Sequence, residues 1–204
     1  MSPQDSVMSS SRSKITPERE QEFYAAVLEL LRECGYDALT MEGVASRSRC
    51  GKSTLYRQWG NKPQLVACAL RGTRGGHLVS IDTGTLAGDL RETAKALGAQ
   101  SGRDTPLMHA LSHAALQNPE LLEAIREGLV EPAAAAIDTM VARAVARGEV
   151  AADNPAVEFV AAQLMGAMRV RPMLEGRYGD TEYLVRFVES AVLPVLLRTD
   201  SART

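Results

Sequence analysis

Within the stretch Lys52-Ser53-Thr54-Leu55-Tyr56-Arg57-Gln58-Trp59, small and cationic polar groups surround two large apolar residues four positions apart. Wound as a helix, Leu55 and Trp59 share the inward face. Ser53 and Arg57 then point outward, Thr54 and Tyr56 lie on the flanks, and Lys52 stands at the N-terminal end. A short polar front on an apolar back suits a helix that enters the major groove of DNA. The Arg57 fork can take guanine bidentately, and Ser53 and Thr54 are small enough to allow close approach. Groups suited to phosphate lie around this helix. Thr40 and Asn61-Lys62 sit at expected helix starts, where free N–H groups attract anions. The Tyr56 hydroxyl, Arg49 in the preceding turn, and Arg12 and Lys14 near the N-terminus add further contacts.

Other residues carry competing chemistry. Gly51-Lys52-Ser53-Thr54 imitates the end of a phosphate-binding loop, but Ser46 occupies the position where that loop needs its first glycine, and no strand precedes it. His109 and His113 are one helical turn apart and could face one metal ion; Ala110 follows His109, so the zincin pattern is absent. No third metal ligand is evident. The bland alternative makes the pair polar groups on a cavity wall or a partly exposed face. A mostly apolar pocket needs such anchors, so Met108, His109, His113, Met140, Gln163 and Met168 are the candidate ligand contacts. Met165 and Met173 join the methionines as core filling or as an adaptable pocket wall. Arg169 and Arg171 either hold an anionic ligand or decorate a helix end. Cys50, beside Arg49 and Lys52, is either an oxidisable thiol or a small core residue.

These residues need helices to position them, and the periodicity supplies helices throughout. Thr16-Pro17-Glu18 opens the first, whose stripe Phe23, Val27, Leu30, Leu31 and Cys34 ends at Gly35. Thr40 opens a short second helix to about Ser46; a third runs from Lys52 to Trp59; Asn61 opens a fourth that the glycines at 72, 75 and 76 loosen. Later helices are expected from Thr85 to about Gln100, from Pro106 to Gln117, from Asn118 to about Arg147 with a bend at Pro132, over 155–171, and over 181–197. No alternating strand pattern occurs. The expected class is all-α, with about nine helices, divided into an arm (1–14), a reader (15–75) and a larger bundle (76–204).

Composition agrees with helices, since 45% of residues are hydrophobic while only 4% are aromatic. The formal net charge of −2 argues against nucleic acid until it is resolved along the chain. From Gly43 through Ile81 there is no Asp or Glu, while Arg47, Arg49, Lys52, Arg57, Lys62, Arg71 and Arg74 fall there; the segment carries +7 and the remainder −9. Three cysteines (Cys34, Cys50, Cys68) without a CxxC pair fit a reduced, cytoplasmic protein. No apolar run reaches a membrane span, and the N-terminus lacks the apolar middle of a signal peptide.

The stretch ALTMEGVASRSRCGKSTLYRQWGNKPQLV resembles the TetR-type transcriptional repressor family. The resemblance rests on Thr40, on Thr54-Leu55-Tyr56, on Trp59 four residues after the leucine, and on Asn61-Lys62. It implies phosphate contacts from Thr40, Tyr56 and Lys62, and base reading from the front of the third helix. Arg49 departs from the usual glycine of the turn, and Gly51 from the usual capping Ser or Thr. ARAVARGEVAADNPAVEFVAAQLMGAMRVRPMLEG is more loosely similar to the family's ligand-sensing and dimerising domain.

The expectation is therefore a homodimeric repressor of double-stranded operator DNA, released by a small-molecule effector, with no cofactor and no catalytic residues. Its dimer would form through the last two long helices, where Val185, Val192 and Leu196 widen the apolar face. The competing classes are an all-α metal-dependent enzyme built on His109 and His113, and a ligand-independent DNA-binding protein.

Overall fold

The structure, a computed structural model, describes residues 15–74, 78–99 and 101–197. Arg12 and Lys14, the glycines at 75 and 76, and the helix end expected at Gln100 lie outside the described residues. Among those described, every regular element is helical: α1 (Pro17–Ala38), α2 (Met41–Arg47), α3 (Lys52–Trp59), α4 (Lys62–Arg74), α5 (Leu86–Gly98), α6 (Ser101–Gln117), α7 (Pro119–Ile125), α8 (Glu131–Ala146), α9 (Val160–Glu175), α10 (Thr181–Phe187) and α11 (Leu193–Leu196). No described helix is long and apolar enough to cross a membrane.

Local signals set most ends. The side chains of Thr16, Thr40, Thr85, Asn118 and Asp180 each accept the backbone N–H of the third residue beyond them. Gly35, at φ 76°, breaks α1 where the stripe ends, and residues 36–38 add one turn beyond the break. Three expectations need correction. Helix α6 begins at Ser101 rather than Pro106; Thr105 Oγ1 bonds back to the Ser101 carbonyl at 2.6 Å, and Pro106, in the second turn, removes one N–H from the helix ladder without ending it. Gly72 does not loosen α4: it stays helical, and a Cβ there would meet the Tyr24 ring at 2.4 Å, so the glycine permits close packing. Asn154 opens a 3₁₀ turn (Val157–Phe159), and α9 proper begins at Val160. The Asn154 amide instead donates to the Val195 and Leu196 carbonyls, both at 3.1 Å.

Two pairs of helices are continuous rods. A π turn (Arg126–Val130) joins α7 to α8, and another (Val188–Val192) joins α10 to α11. Each closes with an N–H bonding five residues back, Glu131 to Arg126 and Leu193 to Val188. Each also stands immediately before a residue followed by proline, Pro132 or Pro194. A proline ring collides with the carbonyl four residues earlier, and the wider turn moves that carbonyl aside. Counted as rods, the described helices number nine, as expected.

Two apolar cores hold the molecule. The first gathers Phe23, Val27, Leu31, Val44, Leu55, Trp59, Leu65 and Leu70 from α1–α4, and it continues into Leu107, Met108, Leu111, Leu121 and Ile125 of α6 and α7. The second joins Leu86 and Leu90 to Ile137, Met140, Val160, Leu164, Leu184, Val188 and Leu196. The segment entering α5 is fastened by a buried carboxylate. Asp89, 0% exposed, accepts the Thr83 N–H at 2.7 Å, the Thr83 hydroxyl at 2.8 Å and Arg143 Nη2 at 3.0 Å.

Candidate nucleic-acid interface

Helix α3 is held from behind. Leu55 is 0% exposed, and the Trp59 ring meets Phe23 edge-on at 5.2 Å and Tyr24 at 6.0 Å. Tyr24 donates its hydroxyl to Glu20 Oε1 at 2.9 Å; burial, then that carboxylate, pushes its pKa up to about 12, so it stays a neutral donor. With this back fixed, Ser53, Tyr56 and Arg57 are exposed and Thr54 is half-buried. Arg57 makes no hydrogen bond or ion pair among the described residues.

The turn before α3 is tight. The Cys50 N–H returns to the Ala45 carbonyl at 2.9 Å, and this requires Arg49 to adopt φ 51°. Arg49 is the sole described non-glycine residue with positive φ, and it stands where the sequence departs from the usual glycine. Its side chain is exposed and without a partner among the described residues. Gly51 caps α3 with no side-chain hydrogen bond, so the first N–H groups of that helix face outward uncapped. Cys50 is half-buried against the first core and lies 3.5 Å from Ser48 Oγ; Cys68 is also half-buried, and burial raises its thiol pKa.

Thr40 is exposed, and its Oγ1 accepts the Gly43 N–H at 3.0 Å, which leaves the hydroxyl proton free for an outside acceptor. Asn61 Oδ1 accepts the Gln64 N–H at 2.9 Å and leaves its amide NH2 free. Lys62 is committed differently. Its ammonium donates to the Tyr36 carbonyl at 3.0 Å and the Leu39 carbonyl at 3.1 Å, and it lies over the Tyr36 ring at 4.2 Å. One of its three N–H donors remains.

The basic stretch is less basic in space than along the chain. Arg47 donates to Glu33 at 2.6 and 3.0 Å and to Glu29 at 3.3 Å, and the bonds to Glu33 hold its carboxyl below its ordinary pKa. Lys52 pairs with Glu42, whose pKa it lowers in the same way. All three acids stand N-terminal to Gly43, just outside the acid-free segment, so the linear charge count missed them. Arg19 was also missed. It donates to the Ser48 carbonyl and lies over Phe23 at 4.8 Å, tying α1 to the turn. Its only sequence signal was its place one turn after the Thr16 cap.

The candidate ligand residues do not converge on one point. Met108, 4% exposed, belongs to the first core; Met140, 1% exposed, belongs to the second, where Thr93 Oγ1 approaches its sulfur at 3.5 Å. His109 lies between α6 and α9, with Nε2 3.0 Å from the Arg169 carbonyl, one residue beyond Met168. His113 is exposed, 3.4 Å from Gln117, and Gln163 is half-buried. Among the described residues, no group of three or more His, Cys, Asp and Glu side chains is placed to hold a metal ion. Val192 and Leu196 are each 1% exposed within the chain's own second core, so the widened face of the last helix is already covered. Of the exposed large apolar residues described, Phe159, Val170, Met173, Leu174 and Tyr178 lie along α9 and the turns flanking it, and Val195 and Leu197 lie on and just after α11.

Comparison with known proteins matches both halves of the chain to family models. Residues 23–69 match the model described as bacterial regulatory proteins, tetR family, and residues 80–191 match the tetracyclin repressor-like C-terminal domain. A DNA-binding transcriptional repressor TetR of Mycobacteroides abscessus is 32% identical over 184 residues, covering 88% of this chain and 94% of that protein. An HTH-type transcriptional regulator of Mycobacterium tuberculosis is 31% identical over 182 residues, 89% of either chain. Among solved structures, a TetR family transcription regulator superposes with a TM-score of 0.70 at 26% identity, covering 89% of this chain and 100% of that one. A TetR-family regulator from Mesorhizobium loti gives 0.66 at 20% identity, covering 87% and 95%.

Proposed function

The chain belongs to the TetR family of helix-turn-helix transcriptional regulators, and on that premise we propose that it works as a dimeric repressor that leaves its operator when a small molecule binds the C-terminal helices. Residues 15–75 serve as the reader and 76–204 as the sensing and dimerising part. The observation that carries the reading is the front of α3, where Ser53 and Arg57 are exposed over the buried Leu55 and Trp59 and Arg57 has no partner among the described residues. Arg57, Ser53 and Thr54 read bases. Thr40, Tyr56 and Asn61 hold phosphates, joined by Arg49, by the N-terminal end of α3 with Lys52, and by the free N–H of Lys62.

Two copies of α3 enter major grooves roughly 34–36 Å apart on a pseudo-palindrome. The dimer forms through the last two long rods, with Phe159, Val170, Met173 and Leu174 of α9 and its N-terminal turn supplying the apolar contact. The chain works where the chromosome is, in the cytoplasm. His109, Met108 and Met168 line the side of α6 and α9 where a ligand is held. His113, Met140 and Gln163 act at its margin.

The test is fluorescence anisotropy on DNA fragments selected from the organism's own genome. Arg57→Ala should cost roughly 1–3 kcal/mol on selected DNA and little on random DNA. Equal losses on both would remove the base-reading role. Size exclusion with light scattering should give twice the 22.0 kDa chain mass.

A further inference from the structure

Two arginines, two residues apart on α9, meet opposite surroundings. Arg171 is 3% exposed and paired with carboxylates. Its Nε donates to Glu175 at 3.0 Å; Nη1 donates to the Tyr178 carbonyl at 2.6 Å and faces Asp180 at 3.5 Å; the guanidinium covers the Tyr183 ring at 3.8 Å. Its charge is neutralised, and its bonds fasten the α9–α10 turn. Arg169 is partly buried and has no Asp or Glu within ion-pairing distance among the described residues. Its side chain donates to a neutral group, Ser112 Oγ on α6, at 2.7 Å, and that hydroxyl in turn donates a hydrogen bond to the Met108 carbonyl at 2.7 Å. His109 donates Nε2–H to the Arg169 carbonyl at 3.0 Å, which fixes the ring between α6 and α9 and leaves Nδ1 without a partner among the described residues. Burial depresses the Arg169 pKa, with no counter-charge opposing it.

A guanidinium withdrawn from water without a counter-charge is unfavourable until an anion completes it. Among the described residues the fold supplies carboxylates to Arg171 and none to Arg169, although both belong to the same helix. The unused N–H groups of Arg169 form the planar fork that matches a carboxylate. Met165, one turn earlier on the same face of α9 and only half-buried, offers polarizable apolar surface beside it. We propose that Arg169, steadied by Ser112 and with His109 alongside, anchors the acid group of an organic anion whose apolar body lies along α6 and α9. This names the ligand class for the sensor proposed above and rests on that reading for the consequence of binding, not for binding itself.

Calorimetric titration of the full chain with decanoate and with 1-decanol isolates the acid group. Wild-type protein should bind decanoate at least about tenfold more tightly than decanol. Arg169→Gln should remove the preference, whereas Arg186→Gln, which deletes an exposed arginine paired with Glu182, should keep it. Thermal melting gives a second readout. Arg169→Met removes the uncompensated charge, so without probe it should melt no lower than wild type and should lose stabilisation by decanoate; an arginine with a purely structural role would melt lower. No preference in wild type, a preference retained in Arg169→Gln, or a lower midpoint in Arg169→Met overturns the proposal. Operator binding by the same preparations separates the two readings. Decanoate bound through Arg169 without release of operator DNA keeps the anion site and sinks the ligand-released repressor. Release by a neutral compound, with decanoate indifferent to Arg169, does the reverse.

Discussion

Lys62 at the head of α4 reaches back to Tyr36 at the end of α1, its ammonium 3.0 Å from the Tyr36 carbonyl and 4.2 Å from the centroid of the ring. A residue that resembles a phosphate contact by its place in the sequence is also an internal tie. Lys62→Ala should therefore cost about 1–2 kcal/mol of stability, from two lost hydrogen bonds and one cation–π contact. Urea denaturation reads that loss, and the salt slope of DNA binding reads the other role, falling by about one if the third N–H holds a phosphate. Unchanged stability would remove the tie.

Arg49 separates folding from binding in the opposite sense. Its φ of 51° is strained for any residue with a Cβ, and its side chain has no partner among the described residues. Arg49→Gly should raise stability by about 0.5–1 kcal/mol, the relief of strain less the added freedom of the unfolded glycine. The same variant should bind DNA more weakly at every sequence. A variant that is less stable, with DNA binding intact, would contradict both statements.

Asp89 fixes a pH dependence. Burial pushes its pKa up, but the Thr83 N–H and hydroxyl and the Arg143 guanidinium outweigh burial and hold it below its ordinary value. A carboxyl depressed in the folded state contributes its stability above the unfolded pKa of about 3.9 and loses it as pH falls through the folded value. Asp89→Asn should cost about 3 kcal/mol at pH 7, because it leaves Arg143 without its buried partner. The difference from wild type should shrink as the pH drops below about 4. A gap of constant size from neutral to acid pH would sink the assignment.

Gly128 lies in the π turn between α7 and α8, and a Cβ there would stand 3.0 Å from Ala67 Cβ on α4. Gly128→Val should push that turn off α4 and lower operator affinity by about tenfold, within the usual span of coupling energies, while helix content by circular dichroism is retained. Unchanged affinity in a folded variant would remove this contact from any route between the cores.

The helices were legible because their signals are local. Thr16, Thr40, Thr85, Asn118 and Asp180 all cap where the sequence places a helix start, and α3 spans Lys52–Trp59 as expected. The exposed front of that helix followed from the Leu55–Trp59 spacing. The pairing of Arg47 with Glu29 and Glu33 was not legible, because it joins residues on different helices, 18 and 14 positions apart in sequence. Arg169 and Arg171 looked alike as sequence, and only the return of the α9–α10 turn brings Asp180 to one of them. The continuity of the first core into α6 and α7 also escaped a periodicity reading. Each helix shows that it has an apolar face, but not which neighbour covers it.

The π turn at Arg126–Val130 also has a meaning in units of chain length. A π turn holds one residue more than the α-helix it interrupts, so the rod from Pro119 to Ala146 carries one residue beyond what its span requires. Leu121 and Ile125 before the turn face the first core, and Ile137 and Met140 after it face the second. A relative that lacks the proline at 132 could build the same rod with one residue fewer and keep both sets of contacts. When such sequences are aligned with this one, the single-residue gap belongs between 126 and 130, and moving it elsewhere would turn one half of the rod by about 100° away from its core.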